Sequence, residues 1–503
     1  MSVLSFSAKL AASLYKKRIN SWNDKAKDMQ ERIFRQLLKK GRKTSFGKDH
    51  SFGRINSYQQ FKDNVPVRDY EALRHYIGRA RLGESDVLWP GRPVYFAMTS
   101  GTTSGGKHIP ITKDSLPNHL HSTRLALLNY IDVTGNTGFL DGKYIFLSGS
   151  PELGDENGIY SGRLSGIVNH HVPGYLKRNQ LPSWETNCIR DWQKKLDAIV
   201  EETIDQNMSL ISGIPPWVEM YFERLLEHSE KSAILDIFPK FSIFIYGGVN
   251  FKPYEQKFRN LIGGEIDTLE LFPASEGFFA FQDIFPGEGL LLIPDSGIFY
   301  EFIPLGEFHE GSRERIPLAD VKTDVNYVMI LNSNAGLWAY NIGDTVRFTS
   351  TDPYRLVVTG RVSQYLSAFG EHVIAEEIEA SLEEACRKTG ARINEFTIAP
   401  LVDNPDGKSC HEWFIEFTAA PHSLEELRQE LDMQLRKRNH YYDDLVGGNI
   451  IQPLIIKVMP ENSFSRYMKS IGKLGGQNKV PHLKNDRDVA DVLVTYLEEE
   501  GEE

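Results

Sequence analysis

Cysteine is almost absent: Cys188, Cys386 and Cys410 are the only three in 503 residues. Their spacing matches neither a disulfide framework nor a metal knuckle, as expected for a protein of a reducing, cytoplasmic compartment. Long apolar runs are missing too, and nothing approaches the roughly 20 residues a bilayer-spanning helix needs. The first residues, Met1-Ser2-Val3-Leu4-Ser5-Phe6, carry no basic stretch ahead of an apolar one, so a secretory signal is not expected. Basic residues are in deficit. Lys and Arg number 57 against 68 Asp and Glu, and a net charge of −11 argues against nucleic-acid or anionic-membrane partners. No Gly-x-Ser-x-Gly elbow is present, which speaks against a serine hydrolase. Histidines do occur in pairs, His119 with His121 and His170 with His171, but without further ligands at metal-binding spacing.

What the chain does have is Thr99-Ser100-Gly101-Thr102-Thr103-Ser104-Gly105-Gly106-Lys107. Glycines let backbone N–H groups approach oxygens, hydroxyls add donors, and one lysine adds a compact positive charge, a composition suited to polyphosphate. A Walker loop would lead into a helix and place Ser or Thr after the lysine. Here His108-Ile109-Pro110-Ile111-Thr112 follows, an apolar alternation with a proline, which predicts a strand. With Pro93 to Met98 as the incoming strand, the loop reads as the tip of a hairpin.

The first forty residues show helical periodicity through Leu4, Leu10, Leu14, Tyr15, Met29, Ile33, Leu37 and Leu38, which predicts a helix packed on the main domain. From Val94 to about Gly360, short apolar strands such as Tyr144–Leu147 and Phe241–Tyr246 alternate with helical stretches such as Trp217–Leu226, the pattern of an α/β fold. After Gly360 the order changes. A glutamate-rich helix carries Ile374, Ile378, Leu382 and Cys386, and the strand Glu412–Phe417 follows it. A second helix opens on a Ser423/Glu426 capping box, a strand runs from Ile450 to Val458, and Glu498 to Glu500 form a frayed tail. This organisation predicts two domains: residues 1–360, a large domain of mixed β-sheets and helices, and residues 361–503, a smaller α+β domain.

Three further segments carry polar chemistry at strand ends: Tyr246-Gly247-Gly248, Ala274-Ser275-Glu276-Gly277, and Tyr340-Asn341-Ile342-Gly343-Asp344. Singly, each is an ordinary turn. In this order and spacing, they and the loop resemble the adenylate-forming superfamily of acyl-CoA synthetases, peptide-synthetase adenylation domains and luciferases. Thr99 to Thr103 and Lys107 fit its T-S-G-T-T-G-x-P-K loop, with Ser104 in place of the glycine and Gly106 in place of the proline. Ala274 to Glu276 resembles Y-G-x-T-E, and Tyr340 to Asp344 resembles Y-R-x-G-D. Thr359-Gly360-Arg361, Ala368 to Glu371 and Glu376 to Glu379 look like the hinge and the start of the mobile C-terminal lid. Departures are Phe272, Asn341 and a hinge without the usual basic residues. Within the superfamily the chain is most similar to the acyl acid amido synthetases. It shares their Y-x-x-F-x-x-x-V-P-x-x-x-Y-E stretch, Tyr58 to Glu71, the lead from Gly83 to Gly91, and a Q-x-K-x-P motif, Gln477 to Pro481.

The resemblance implies ATP-dependent adenylation of a small carboxylic acid, followed by acyl transfer to an amine, that of an amino acid by expectation. Alternatives are coenzyme A as the acceptor, or a nucleotide-binding protein without turnover. Ser100, Gly101, Thr102, Thr103 and Lys107 would bind phosphates, and Glu276 would hold Mg²⁺. Gly247, Gly248, Ala274, Ser275 and Tyr340 would line the nucleotide, Asp344 would take the ribose hydroxyls, and Arg361 would support the ribose or the hinge. The catalytic cation would be Lys479 by family position, or Lys473 by its Gly-Lys dipeptide; Lys479 is the choice. The segment Gly162 to Tyr175, with His170 or His171, falls where an acyl-pocket wall is expected.

Overall fold

The computed structural model describes residues 3–99, 107–189, 191–248, 251–287, 289–362, 365–366, 368–369, 371, 373–401, 409–448, 451–474, 479–484 and 486–501. Within it the N-terminal periodicity forms one 39-residue helix, Val3–Gly41. Its inner stripe is Ala12, Trp22, Ala26, Ile33, Phe34 and Leu37, each 9% exposed or less. Leu10 and Leu14 face outward, unlike the expectation, because Ala11 and Ala12 make the close approach in that turn. Deeper along the same stripe sits Gln30. Its amide donates to Pro294 O at 2.8 Å and Ile298 O at 2.9 Å and accepts from Tyr300 N at 2.9 Å. A buried amide so fully satisfied pins the helix to the strand beside it without leaving a desolvated group.

Two sheets carry the larger part of the chain. A twelve-stranded sheet runs in the order Ile316–Pro317, Ile298–Pro304, Asn326–Ser333, Tyr340–Thr351, Tyr354–Arg361, Leu290–Leu292, Gly277–Gln282, Asp267–Ala274, Ile243–Gly247, Met208–Ser212, Lys143–Phe146 and Gln180–Leu181. Its last five strands are parallel. The central ones, Met208–Ser212 and Ile243–Gly247, are buried on both faces, which is why Ile243-Phe244-Ile245 reads as an unbroken apolar run rather than an alternation. The helix Pro215–Ser229 covers this half through Trp217, Val218, Tyr221, Phe222 and Leu225. The four-stranded sheet has the order Lys107–Ile111, Tyr95–Thr99, Ile159–Gly162, Gly154–Glu156. Lys107–Ile111 is an edge strand, where Pro110 is tolerated because one side of the strand has no ladder partner. Its antiparallel register with Tyr95–Thr99 ends on the pair Thr99 and Lys107. A strand, not a helix, therefore follows Lys107.

After Thr359 the chain builds a three-stranded sheet of Arg392–Leu401, Cys410–Ala419 and Ile455–Met459, with the helices Ala375–Thr389 and Leu424–Arg438 packed on it through Ile378, Leu382, Leu431 and Leu435. Ser423 caps its helix by accepting from Glu426 N at 3.3 Å, so the Ser423 half of the predicted box is in place. The acidic tail is not frayed. Glu498 to Glu500 continue the helix Asp488–Gly501, as expected of strong helix formers whose helix is anchored by buried Val489, Ala490 and Leu493. The fold is mixed α/β. By contacts the chain divides into two compact units, Met1–Ile342 with Val346–Val358, and Gly343–Thr345 with Thr359–Glu503.

Candidate active site

Of the phosphate-loop residues predicted from sequence, Ser100, Gly101, Thr102 and Thr103 lie outside the described residues, while Lys107 opens the returning strand. Its ammonium lies 5.9 Å from the centre of the Tyr70 ring, and the Tyr70 hydroxyl accepts from His108 N at 3.0 Å. Tyr70 starts the helix Tyr70–Arg81, whose N-cap Asp69 accepts from Ala72 N at 2.9 Å. One residue earlier, Arg68 hydrogen-bonds through its backbone to Ala339 O at 2.9 Å and from Asn341 N at 2.7 Å. The Tyr58–Glu71 stretch thus braces the base of the loop with Tyr70 and the Tyr340 segment with Arg68.

That stretch rests on a buried ionic network. Arg315 Nε donates to Glu301 Oε1 at 2.8 Å, with the two side chains 2% and 0% exposed. Tyr58 donates to the same oxygen at 2.7 Å, Asn332 to the other at 2.6 Å, and Arg315 Nη1 to Val65 O at 2.9 Å. Burial, with Glu301 close by, raises the Tyr58 pKa far beyond the usual phenol range, so the hydroxyl remains a donor.

Glu276 occupies the tight turn between the antiparallel strands Asp267–Ala274 and Gly277–Gln282. Its carboxylate is half-buried, and the Tyr340 hydroxyl reaches Oε1 at 3.5 Å. Asn118, buried on the helix Leu116–Thr134, holds the turn from behind: its amide accepts from Phe278 N at 2.7 Å and donates to Phe278 O at 2.9 Å. Tyr340 is itself aimed by a strained neighbour. Ala339 has φ +47°, held there by Arg68 N on its carbonyl and by Asn332 Oδ1, which accepts from its N–H at 2.8 Å. A single oxygen-donor carboxylate suits Mg²⁺, which keeps waters and takes substrate phosphate oxygens for the rest of its shell. Among the described residues no three His, Cys, Asp or Glu form a metal cluster.

Gly247 and Gly248 end the parallel strand Ile243–Gly247. A Cβ on Gly247 would lie 2.4 Å from Leu271 O, and Gly248 has φ +74°, so the turn leaves no room for a side chain at the first position and strains one at the second. Ala274 and Ser275 lead into the Glu276 turn one strand further on.

The other predicted residues fall in the second unit. Asp344 pairs with Arg361 at 3.3 Å, and a Cβ on Gly343 would lie 3.1 Å from the Arg361 guanidinium, so glycine makes the room. Val362 N donates to Gly343 O at 2.7 Å and Thr359 Oγ1 to Thr345 Oγ1 at 2.9 Å. Lys479 belongs to the same cluster. It keeps an exposed face, yet protein around it lowers its pKa to about 8. Burial is the main cause, Arg361 adds to it, and Asp344 and Glu379 oppose it. The residues after it are fixed to the Arg392–Leu401 strand: Thr397 Oγ1 donates to Pro481 O at 2.6 Å, Ile398 N to His482 O at 2.8 Å, and His482 Nε2 meets Glu395 Oε1 at 2.8 Å. Burial disfavours the imidazolium of His482, but Glu395 and Glu379 outweigh it and raise the pKa. Lys473, by contrast, is exposed just beyond the helix Ser463–Ser470, its backbone N–H closing that helix on Met468 O at 2.8 Å.

Three models of one family match this chain. The GH3 family N-terminal domain covers residues 15–173, the central domain 291–361 and the C-terminal domain 376–488. The chain belongs to the GH3 family. Its hairpin and Tyr58–Glu71 stretch fall in the first GH3 domain, Asp344 and Arg361 in the second, and both candidate lysines in the third. It is 20% identical over 552 residues to the indole-3-acetic acid-amido synthetase GH3.3 of Arabidopsis thaliana, an alignment covering 92% of this chain and 90% of that protein. It is 21% identical over 540 residues to the jasmonoyl-L-amino acid synthetase JAR6 of Nicotiana attenuata, covering 92% and 91%. The solved structure of the AtGH3.15 acyl acid amido synthetase in complex with 2,4-DB matches with a TM-score of 0.80 at 17% identity, over 96% of each chain. A 2-hydroxyisobutyryl-CoA ligase structure shares the fold at a TM-score of 0.60 and 12% identity, over 95% of this chain and 92% of that one.

Arg68, Tyr70, Asn118 and the Glu301–Arg315 pair are parts of the site that carry no direct signature of that role in the sequence. Arg68 acts through its backbone, Tyr70 reaches His108 across 38 positions, Asn118 reaches Phe278 across 160, and Glu301 reaches Tyr58 across 243; no local motif encodes such contacts. One signal was available for Asn118: an amide on the inner face of a largely apolar helix needs a partner. The histidine pairs make no metal centre among the described residues. Burial lowers the His119 pKa to about 4 and keeps it neutral. His170 Nε2 meets Pro151 O at 3.0 Å, and His171 Nε2 meets the Tyr95 hydroxyl at 3.0 Å. Among the described residues no helix is long and apolar enough to cross a membrane.

Proposed function

We propose that this GH3 protein couples a small carboxylic acid to the amine of an amino acid in two steps, the first of which consumes ATP. In the first, a carboxylate oxygen attacks the α-phosphate of ATP, forming an acyl-adenylate and releasing pyrophosphate. In the second, the amine attacks the activated carbonyl, releasing AMP and leaving an amide. A free carboxylate is a poor acylating agent because its leaving group would be oxide or hydroxide; the mixed anhydride substitutes AMP.

The hairpin carries the reading: a glycine- and hydroxyl-rich segment closed by Thr99 and Lys107, with Lys107 steadied over Tyr70. Lys107, with Ser100, Gly101, Thr102 and Thr103, is assigned to the β- and γ-phosphates. Gly247, Gly248, Ala274, Ser275 and Tyr340 are assigned to the nucleotide, and Asp344 to the ribose hydroxyls with Arg361 orienting it. Glu276 is the residue that would hold Mg²⁺, which when bound neutralises phosphate charge. Lys479 rather than Lys473 is assigned to the α-phosphate, supported by its place beside Asp344 and Arg361 and by a charge that burial makes costly in the ground state. Such a cation is most useful where negative charge develops. Residues 361–503 are assigned the role of a lid that brings Lys479 to the reacting atoms in one of its orientations.

The decisive assay is product analysis over a panel of aryl, indolyl and aliphatic acids, with an amino acid or coenzyme A as acceptor. AMP, pyrophosphate and an amide are expected. ADP and phosphate would refute adenylation, and a thioester without amide would replace the acceptor.

A further inference from the structure

Two cations in the first unit have no role in the reading above. Arg163 follows the strand Ile159–Gly162 and precedes the helix Leu164–His170. Gly162 pairs in parallel with Ala97, so Arg163 leaves the sheet at the level where the neighbouring strand runs into the phosphate loop. Its side chain lies across the turn after Lys143–Phe146: a Cβ on Gly149 would be 2.5 Å from Arg163 Cδ and 3.2 Å from Nη1, so the passage exists because residue 149 is glycine. Arg163 Nη1 is fully covered and has no hydrogen-bond acceptor among the described residues. Lys195 approaches the same turn. It is 3% exposed, and its ammonium donates to Ser148 O at 2.9 Å and to Asn187 O at 2.8 Å. Asn187 Oδ1 and Ser165 Oγ, also buried, have no partners among the described residues.

Buried charges in proteins are ordinarily paired. Here burial alone lowers the Arg163 pKa, and Lys195 falls to about 8 through burial, opposed by Cys188 and reinforced by the Arg163 charge; no carboxylate enters the balance of either. The two cations repel one another at a turn on the carboxyl end of a parallel strand, where ligands of open α/β sheets are held. A guanidinium nitrogen without an acceptor among the described residues, backed by a second positive charge, supplies the donor and the field that a carboxylate would satisfy.

We infer that Arg163, backed by Lys195, binds a substrate carboxylate other than the one being adenylated. Its source is either a second carboxyl group on the acyl acid or the carboxyl group of the amino acid acceptor. This rests on the two-step reaction proposed above, in which the first carboxylate is committed to the α-phosphate and Lys107 with its loop to the other phosphates.

The test compares matched probes on the full-length protein. ATP–pyrophosphate exchange is measured with hexanoate against adipate, and amide formation with phenylalanine against phenethylamine. Exchange by the wild type with any acid establishes adenylation independently of Arg163. The wild type should then favour the carboxylate-bearing member of one pair, and Arg163→Gln should erase that preference by about 10- to 150-fold, the worth of a hydrogen bond to a charged group. Loss confined to adipate in the exchange reaction identifies the acyl acid as the source. Loss confined to phenylalanine, with exchange unchanged, identifies the acceptor. Arg163→Lys, which keeps charge and bulk, should retain part of the preference and serves if Arg163→Gln does not fold. Equal loss for every probe, weaker ATP binding whatever the acid, or no wild-type preference in either pair would overturn the inference.

Discussion

Alkaline pH should slow acyl-adenylate formation in a way that titrates one named side chain. Lys479 has a pKa of about 8, more than two units below a free lysine, because burial and Arg361 outweigh Asp344 and Glu379. If its ammonium stabilises charge developing at the α-phosphate, the rate follows the protonated fraction. That fraction is about nine-tenths at pH 7 and about one-tenth at pH 9, so pyrophosphate release should fall about tenfold over the interval. The sign is that of a lowered cationic pKa: activity is nearly full at pH 7 and below and is lost as pH rises through about 8. Arg361→Met removes a repulsive charge and should move the alkaline limb upward, whereas Glu379→Gln removes an attractive one and should move it downward. Lys479→Arg keeps a cation that does not titrate in this range, so its residual rate should be flat from pH 7 to 9.5. The assay is single-turnover pyrophosphate release, with ATP affinity measured separately at each pH. A wild-type profile flat to pH 9.5, or the same limb in Lys479→Arg, would show that Lys479 does not carry the charge that matters. A matching limb in ATP affinity would make it a ground-state contact.

Substitutions at four positions test other parts of the structure. Glu276→Ala should cut adenylation by about 10²-fold or more with little change in thermal midpoint, and near-normal turnover would return Glu276 to the status of a surface acid. Asn118→Ala strands the N–H and C=O of Phe278 behind the Glu276 turn, each costing about 1–3 kcal/mol, so both stability and pyrophosphate release should fall; an unchanged rate in a folded variant would disconnect the clamp from the site. Glu301→Ala leaves Arg315 buried without its counter-charge and should lower unfolding free energy by about 3–5 kcal/mol, read from urea midpoints, and a loss under about 1 kcal/mol would mean the network is not structural. At φ +47°, Ala339→Gly should be tolerated within about 1 kcal/mol while Ala339→Val costs about 2 kcal/mol or more, and equal effects would remove backbone strain as the reason Tyr340 is held as it is.

How far the sequence could be read depended on the range of the forces involved. The strand after Lys107 was legible because Pro110 and the Ile109/Ile111 alternation act locally, and the parallel strands because burial on both faces leaves an apolar run. The Glu276 turn and the Gly247-Gly248 strand end were visible as spaced motifs. Their supports were not: Asn118 reaches Phe278 across 160 positions, and Glu301 reaches Tyr58 across 243. The outward turn of Leu10 and Leu14 was hidden for the same reason. Periodicity gives a helix two near-equivalent faces when alanines line one and leucines the other, and tertiary packing chose the alanines.

The short segment Gly343–Thr345 groups by contacts with Thr359–Glu503, while the residues on both sides of it group with the rest of the first unit. The polypeptide therefore crosses between the units three times rather than once. A chimera that exchanges only the contiguous C-terminal part of the second unit, Thr359–Glu503, between two GH3 proteins would separate Arg361 from its own Asp344, and Thr359 and Val362 from Thr345 and Gly343. Modular shuffling of this enzyme, by an engineer or by recombination, has to transplant a tripeptide from the preceding strand along with the unit it serves.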